Sequence, residues 1–353
     1  MRSSIAASAL LLLTACPADP GGEDENSDAS SSGSSSSATP QGDTSGSVTD
    51  GTTGGAADTS EGSSEGSSGG GFPDPIADEC IDDVSAGDHV YECGDFSYDV
   101  TIPPACLEQA CGLIFDVHGF TMNGAMQEAN THMRERGAER GYIVVQPNAN
   151  PAPPASSWNP GIDDGPVFDF MLRMADAFHV DRDRLHFTGF SQGGYMTWRA
   201  VCEHADVLAS VAPAAACGAD PLGDCLFTAD KAPAESVDIL FIHGTSDVLV
   251  PYACAPVRRD AVVAAYALGD EEVLTENEEY RWTRHTGDDG TVFEFITHEY
   301  AAANLIVLGG HCFPGSDDPG DATGQLLSYA CVEPTDLHWG DTVLDFFDAH
   351  PRD

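Results

Sequence analysis

Leu185-His186-Phe187-Thr188-Gly189-Phe190-Ser191-Gln192-Gly193-Gly194 reads as an apolar strand breaking abruptly into a helix over 192–204. A G-x-S-x-G pentapeptide carries chemistry in that setting, because the serine then sits on a tight strand-to-helix bend with its hydroxyl exposed. Glycines flank such a serine because strand and helix approach too closely for a Cβ, and the bend itself strains the backbone. Ser191 is the candidate nucleophile. The pentapeptide alone is a weak signal in a chain with 37 glycines, so partners have to carry the assignment.

A serine hydroxyl hardly ionises at neutral pH. It needs a histidine base, and the imidazole needs a carboxylate that fixes its tautomer and stabilises its charged form. On sheet-based hydrolases these follow in the order Ser, Asp or Glu, His. Asp238 to Ile242 has the pattern of a buried strand and runs into His243-Gly244-Thr245-Ser246-Asp247, with Val250-Pro251-Tyr252 beyond. Asp247 thus lies on a loop past a strand's carboxyl end, where open parallel sheets bind ligands. Asn304 to Leu308 reads as another short strand, leading to Gly309-Gly310-His311-Cys312-Phe313-Pro314-Gly315. His311 is the candidate base. An oxyanion needs preorganised backbone donors. These are expected from the N–H of Gln192, just after the nucleophile, and of Phe120, in the His118-Gly119-Phe120 loop after the apolar run 113–117.

These segments together resemble the α/β-hydrolase group of poly(3-hydroxybutyrate) depolymerases and extracellular feruloyl or acetylxylan esterases. The resemblance rests on His118-Gly119, Val180 to Leu185, Gly189 to Gly194, His243 to Asp247 with Val250-Pro251-Tyr252, and Gly310-His311 with Pro314-Gly315. It spans residues 80–350 and implies an α/β-hydrolase fold with a mainly parallel central sheet flanked by helices. It also implies a Ser191–Asp247–His311 triad, no cofactor and no metal. Two positions depart from the group. Relatives often have a small residue or cysteine where Phe120 stands, and a tryptophan where Phe313 stands, so substrate choice is less determined than the chemistry. Trp158 and Phe313 are candidate substrate contacts, though packing is the commoner role of such aromatics. His118 and His243 are expected to hold their loops by hydrogen bonds.

The implied reaction is hydrolysis of carboxylic esters through an acyl-enzyme, on polyhydroxyalkanoate or on feruloyl or acetyl esters of polysaccharide. The same motif also suits a small carboxylesterase, an acyl thioesterase or a serine peptidase. A surface-binding lipoprotein that keeps the fold without turnover is the non-enzymatic alternative.

Three segments are expected. Residues 1–16 combine Arg2, an apolar stretch too short to span a bilayer, and Leu13-Thr14-Ala15-Cys16. The last resembles a bacterial lipobox, implying lipid attachment at Cys16 and an exported, envelope-anchored protein. A generic secretory signal is the alternative. Residues 17–72 hold ten acidic and no basic side chains among Ser, Gly and Thr, too little apolar surface to offset ordering, and read as a flexible tether. Residues 73–353 suit one catalytic α/β domain, with strands at 113–117, 142–146, 185–188, 208–214, 238–242, 292–296 and 304–308, and helices at 167–178, 192–204, 256–268 and 341–349.

Setting Cys16 aside, ten of the 11 cysteines remain, an even number that implies disulfides in an exported chain. Cys106 with Cys111, Cys217 with Cys225 and Cys312 with Cys331 are the near pairs. No C-x-x-C pair or His/Cys cluster points to zinc. The net charge of −44 disfavours nucleic acid and anionic membrane surfaces as partners, leaving an ester substrate and a lipid anchor. Asp163-Asp164 and Asp288-Asp289 read as a solvated acidic face more readily than as a calcium site. A monomer is expected.

Overall fold

The computed structural model describes residues 71–217, 227, 232–332 and 334–352. Cys16, Cys225, the segment 1–16 and nearly all of the tether lie outside the described residues.

Among the described residues ten strands form one sheet: β1 (Gly87–Cys93), β2 (Phe96–Ile102), β3 (Gly112–Val117), β4 (Tyr142–Asn148), β5 (Leu185–Phe190), β6 (Ser210–Ala214), β7 (Asp238–Gly244), β8 (Glu272–Glu276), β9 (Tyr280–Thr286) and β10 (Val292–His298). Their spatial order is β1-β2-β4-β3-β5-β6-β7-β10-β9-β8. The run from β4 to β10 is parallel, and antiparallel hairpins extend both edges. β3 and β5 are buried at every residue. That is why their sequences are almost continuously apolar rather than alternating.

Among the described residues six helices cover the sheet: α1 (Gly124–Thr131), α2 (Met133–Glu139), α3 (Asp164–Ala177), α4 (Gln192–His204), α5 (Cys254–Ala265) and α6 (Trp339–Ala349). The apolar faces of α3, α4 and α5 pack into one core cluster, around Phe168, Met171, Trp198 and Val262. Those of α1, α2 and α6 pack into a second, around Met126, Met133, Val343 and Phe347. With a helix layer on each face, the carboxyl ends of the parallel strands form the exposed rim, where this architecture places its ligands.

Three expectations are corrected, the last of them a disulfide pairing. The run 304–308 is a turn, in which the Val307 and Leu308 amides both donate to the Asn304 carbonyl (3.1 and 2.9 Å). Leu305 and Ile306 are 60% and 93% exposed. The sheet position beside β7 belongs to β10, so this short apolar run has no strand to pair with. The acidic pair Asp163-Asp164 is buried, not solvated. Asp163 Oδ2 accepts from the Asn159 amide (2.7 Å), and Asp164 pairs with the buried Arg199 of α4. Among the described residues no cluster of His, Cys, Asp and Glu could hold a metal ion.

Four disulfides are described: Cys80–Cys93, Cys106–Cys111, Cys217–Cys254 and Cys312–Cys331. Cys217 pairs with Cys254 rather than Cys225, because the exit of β6 and the first turn of α5 meet at the same rim, with Cα atoms 5.6 Å apart. Such bridges form and persist in oxidising compartments.

Candidate active site

Four loops at this rim bring the candidate residues together. Ser191 follows β5 directly and caps α4 in a left-handed conformation, φ 54° and ψ −114°. A side chain larger than hydrogen at Gly193 has no space: a Cβ there would lie 2.0 Å from the Val117 carbonyl oxygen. The bend is therefore set by backbone packed on backbone. The Ser191 amide donates to the Ala214 carbonyl of β6 (2.9 Å), leaving the serine side chain partly exposed above the sheet.

Asp247 lies three residues past β7. Its Oδ1 accepts from the amides of Leu249 (2.9 Å) and Val250 (2.8 Å). Its Oδ2 accepts from His311 Nδ1 at 2.7 Å. Both side chains are buried. Because Nδ1 carries the proton shared with a carboxylate, His311 Nε2 keeps its lone pair, as a base requires. The His311 ring packs on Phe190, the residue before the serine, with ring centroids 4.6 Å apart. The hydrogen-bonded pair is Asp247–His311; among the described residues Ser191 Oγ makes no hydrogen bond.

The fourth loop follows β3. His118 Nδ1–H donates to the Gly119 carbonyl (2.7 Å), while its Nε2 accepts from the Ala149 amide (3.1 Å). Burial lowers the His118 pKa to about 4, so it stays neutral. The Met122 amide also donates to the Gly119 carbonyl (3.2 Å). In a planar trans peptide the carbonyl and the following N–H point in opposite directions, so fixing the Gly119 oxygen fixes where the Phe120 N–H points. Among the described residues neither the Phe120 nor the Gln192 amide has an internal acceptor. The first backbone donors of α4 are unsatisfied, as at any helix N-terminus, and favour negative charge.

His243 likewise holds its loop. Nε2–H donates to the Val250 carbonyl (2.8 Å) and lies 3.5 Å from Asp247 Oδ2. Burial lowers its pKa.

The two aromatic candidates for substrate contact are both buried, Trp158 at 3% and Phe313 at 1% exposure. Trp158 Nε1 donates to the His118 carbonyl (2.9 Å), and its amide donates to Gln192 Oε1 (3.1 Å). It therefore braces the loop after β3 and the start of α4. Phe313 packs on Phe190, centroid to centroid 4.1 Å. Phe120, 37% exposed, is the aromatic that reaches solvent here. Sequence reasoning did not find Tyr329, whose hydroxyl lies 3.1 Å from Thr121 Oγ1. No local pattern announces a contact across 208 residues.

A predominantly parallel sheet with a strained serine bend after one central strand, a carboxylate after the next strand but one, and a histidine on the loop past β10 is the α/β-hydrolase fold. No family model matches the chain. It is similar to a bifunctional acetylxylan esterase/xylanase of Neocallimastix patriciarum, 29% identical over 151 residues, covering 42% of this chain and 21% of that protein. Feruloyl esterase B of Piromyces equi is 28% identical over 151 residues, covering 41% and 28%. The chain thus matches about a quarter of the length of these relatives. Among solved structures, an acetyl xylan esterase from Aspergillus awamori superposes with a TM-score of 0.46 at 15% identity, covering 58% of this chain and 89% of that one.

Proposed function

We propose that this protein is an exported serine esterase that hydrolyses acetyl or feruloyl esters of polysaccharide through an acyl-enzyme. The observation that carries the reading is the buried 2.7 Å hydrogen bond between His311 and Asp247, held against the residue that precedes a left-handed serine. The two relatives named for acetylxylan and feruloyl ester chemistry support the substrate class. The disulfides support export, as does the reading of residues 1–16 as a lipoprotein signal.

Ser191 Oγ attacks the ester carbonyl while His311 Nε2 takes its proton, and Asp247 balances the imidazolium charge through Nδ1–H. The Phe120 and Gln192 amides receive the oxyanion. Collapse breaks the bond to the alcohol, which leaves with the proton from His311. Water, deprotonated by His311, then attacks the acyl-serine and frees the acid and Ser191.

The test is kcat/KM on p-nitrophenyl acetate, methyl ferulate, acetylated xylan and polyhydroxybutyrate, for wild type and Ser191→Ala. Wild-type turnover of the acetyl or feruloyl substrates, lost by about a millionfold in the variant, is expected. A Ser191→Ala protein as active as wild type refutes the mechanism, and preference for polyhydroxybutyrate refutes the substrate class.

A further inference from the structure

The loop that leaves His311 turns back on itself. Cys312 is bridged to Cys331. Between them the Phe313 amide donates to the Tyr329 carbonyl (2.8 Å), and the Cys331 amide donates to the Phe313 carbonyl (3.1 Å). The backbone of Tyr329 is therefore locked to a residue two positions from the candidate base. Its ring stands edge-on to Phe190 at 5.9 Å, and the residue is buried, with its hydroxyl against Thr121.

Thr121 is the residue after the candidate oxyanion donor Phe120. It holds φ 64°, a conformation costly for a β-branched residue, and its amide donates to the Ser156 carbonyl (2.9 Å). The Thr121–Tyr329 hydroxyl pair at 3.1 Å is the side-chain tie on this strained residue. A second strut runs in parallel: Asn123 Nδ2 donates to the Thr323 carbonyl (3.1 Å). The histidine loop and the loop after β3, 200 residues apart at Asn123 and Thr323, are thus joined by one disulfide-closed segment.

We propose that Tyr329 is a positioning residue: through its hydroxyl bond to Thr121 it holds the loop in the conformation in which His118 and the Met122 amide fix the Gly119 carbonyl, and so supports the direction of the Phe120 N–H relative to His311. This rests on the serine-esterase reading of the site. Strain at Thr121 is held only as long as its surroundings over-determine it. Losing the tie leaves Thr121 strained against only the Ser156 and Gly119 contacts of the loop, so the 120–121 backbone relaxes and pulls the donor partly off the position of the oxyanion. The ground-state ester, which carries little charge on that oxygen, is affected far less than the transition state.

The experiment compares wild type, Tyr329→Phe, Thr121→Val and the double variant in kcat, KM, melting temperature and affinity for an aryl trifluoromethyl ketone, whose hemiketal oxyanion occupies the hole. Both single variants should lose about tenfold in kcat, a fraction of the hundred- to thousandfold lost when an oxyanion donor is removed outright. KM should stay within about twofold, and ketone affinity should fall in step with kcat. The double variant should be no slower than the slower single one, since both remove the same bond. Wild-type kcat and ketone affinity in both single variants, whatever happens to the melting temperature, overturn the proposal, as do independent effects that multiply. If Tyr329→Phe does not fold, Thr121→Val, at a partly exposed position, decides alone. An active wild type silenced by Ser191→Ala but indifferent to Tyr329→Phe overturns this inference only, whereas an inert wild type overturns the esterase reading and this inference with it.

Discussion

Asp247→Asn separates orientation from mere proximity. Asp247 Oδ1 accepts two backbone N–H groups, at 2.9 and 2.8 Å, so an asparagine keeps its carbonyl oxygen there and turns its NH2 toward His311. That places a donor 2.7 Å from Nδ1 and another facing His243 Nε2–H, 3.5 Å from the same oxygen. Two donors cannot share one hydrogen bond. His311 then protonates at Nε2 to offer Nδ1 as acceptor, and the nitrogen that should take the serine proton is blocked. The geometry survives and the tautomer is wrong, which costs about 10,000-fold in kcat, or roughly 5.4 kcal/mol of transition-state stabilisation. Stability changes little because both backbone bonds are kept. The assay is kcat on p-nitrophenyl acetate beside a thermal melt. A folded Asp247→Asn protein within about tenfold of wild type would refute the assignment of this carboxylate.

Gly193→Ala forces a Cβ to within 2.0 Å of the Val117 oxygen, with the Val117 carbon at 2.6 Å and the His118 oxygen at 2.9 Å. All three are backbone atoms, so the variant should lose about 3 kcal/mol or more in urea unfolding, and unchanged stability would show that the elbow packs differently. Acidification should unfold the protein, because burial lowers the pKa of His118 to about 4 and of His186 and His298 to about 3. Above pH 6.5 these imidazoles are neutral in both states. Below it the unfolded chain takes up protons that the folded one refuses, and each costs roughly 3 kcal/mol by pH 4. Asp116, raised to about 6 by burial against hydrogen bonds from Gln146, Gln127 and Thr131, has the opposite sign and recovers roughly 2 kcal/mol over the same window. The balance is a loss of several kcal/mol between pH 6.5 and 4, read as a falling melting temperature; a flat profile would contradict it.

The central parallel strands were legible because burial on both faces makes their sequences near-continuous apolar runs. β2 carries an alternating signal, with Phe96, Tyr98, Val100 and Ile102 turned inward, but polar residues between them break the run, and it was missed. β8 has only partly buried or exposed residues and exists by pairing with β9, which no local pattern reveals. The 304–308 run failed for the complementary reason. Apolar composition marks a strand only when a neighbour is available, and β10 had already taken that place. Of the candidate site, Ser191 and Asp247 stand in short motifs just past the ends of β5 and β7, and His311 in a glycine-rich motif after a turn, so all three were singled out by local sequence. The bracing role of Trp158 and the Thr121–Tyr329 tie were not, because they depend on which loops meet at the rim.

The way these loops meet explains why the motifs are short and glycine-rich. The histidine loop rests on the aspartate loop with almost nothing between them: a Cβ at Gly244 would lie 2.3 Å from the Gly310 carbonyl oxygen, and one at Gly310 would lie 3.0 Å from the Asp247 amide nitrogen. The loop after β3 approaches the serine through side-chain atoms instead, since a Cβ at Gly119 would stand 3.2 Å from Ser191 Cβ and from a ring carbon of Phe190. Backbone-on-backbone contact is shorter and stiffer than any contact through flexible side chains, and preorganisation of charge-stabilising groups requires that stiffness. It also leaves exposed side chains such as Phe120, Val248 and Ile306 without a part in holding the site, so these positions can vary without disturbing the Asp247–His311 pair. Substitutions there should accordingly change which ester is preferred, and substitutions at the contact glycines should remove turnover for all of them.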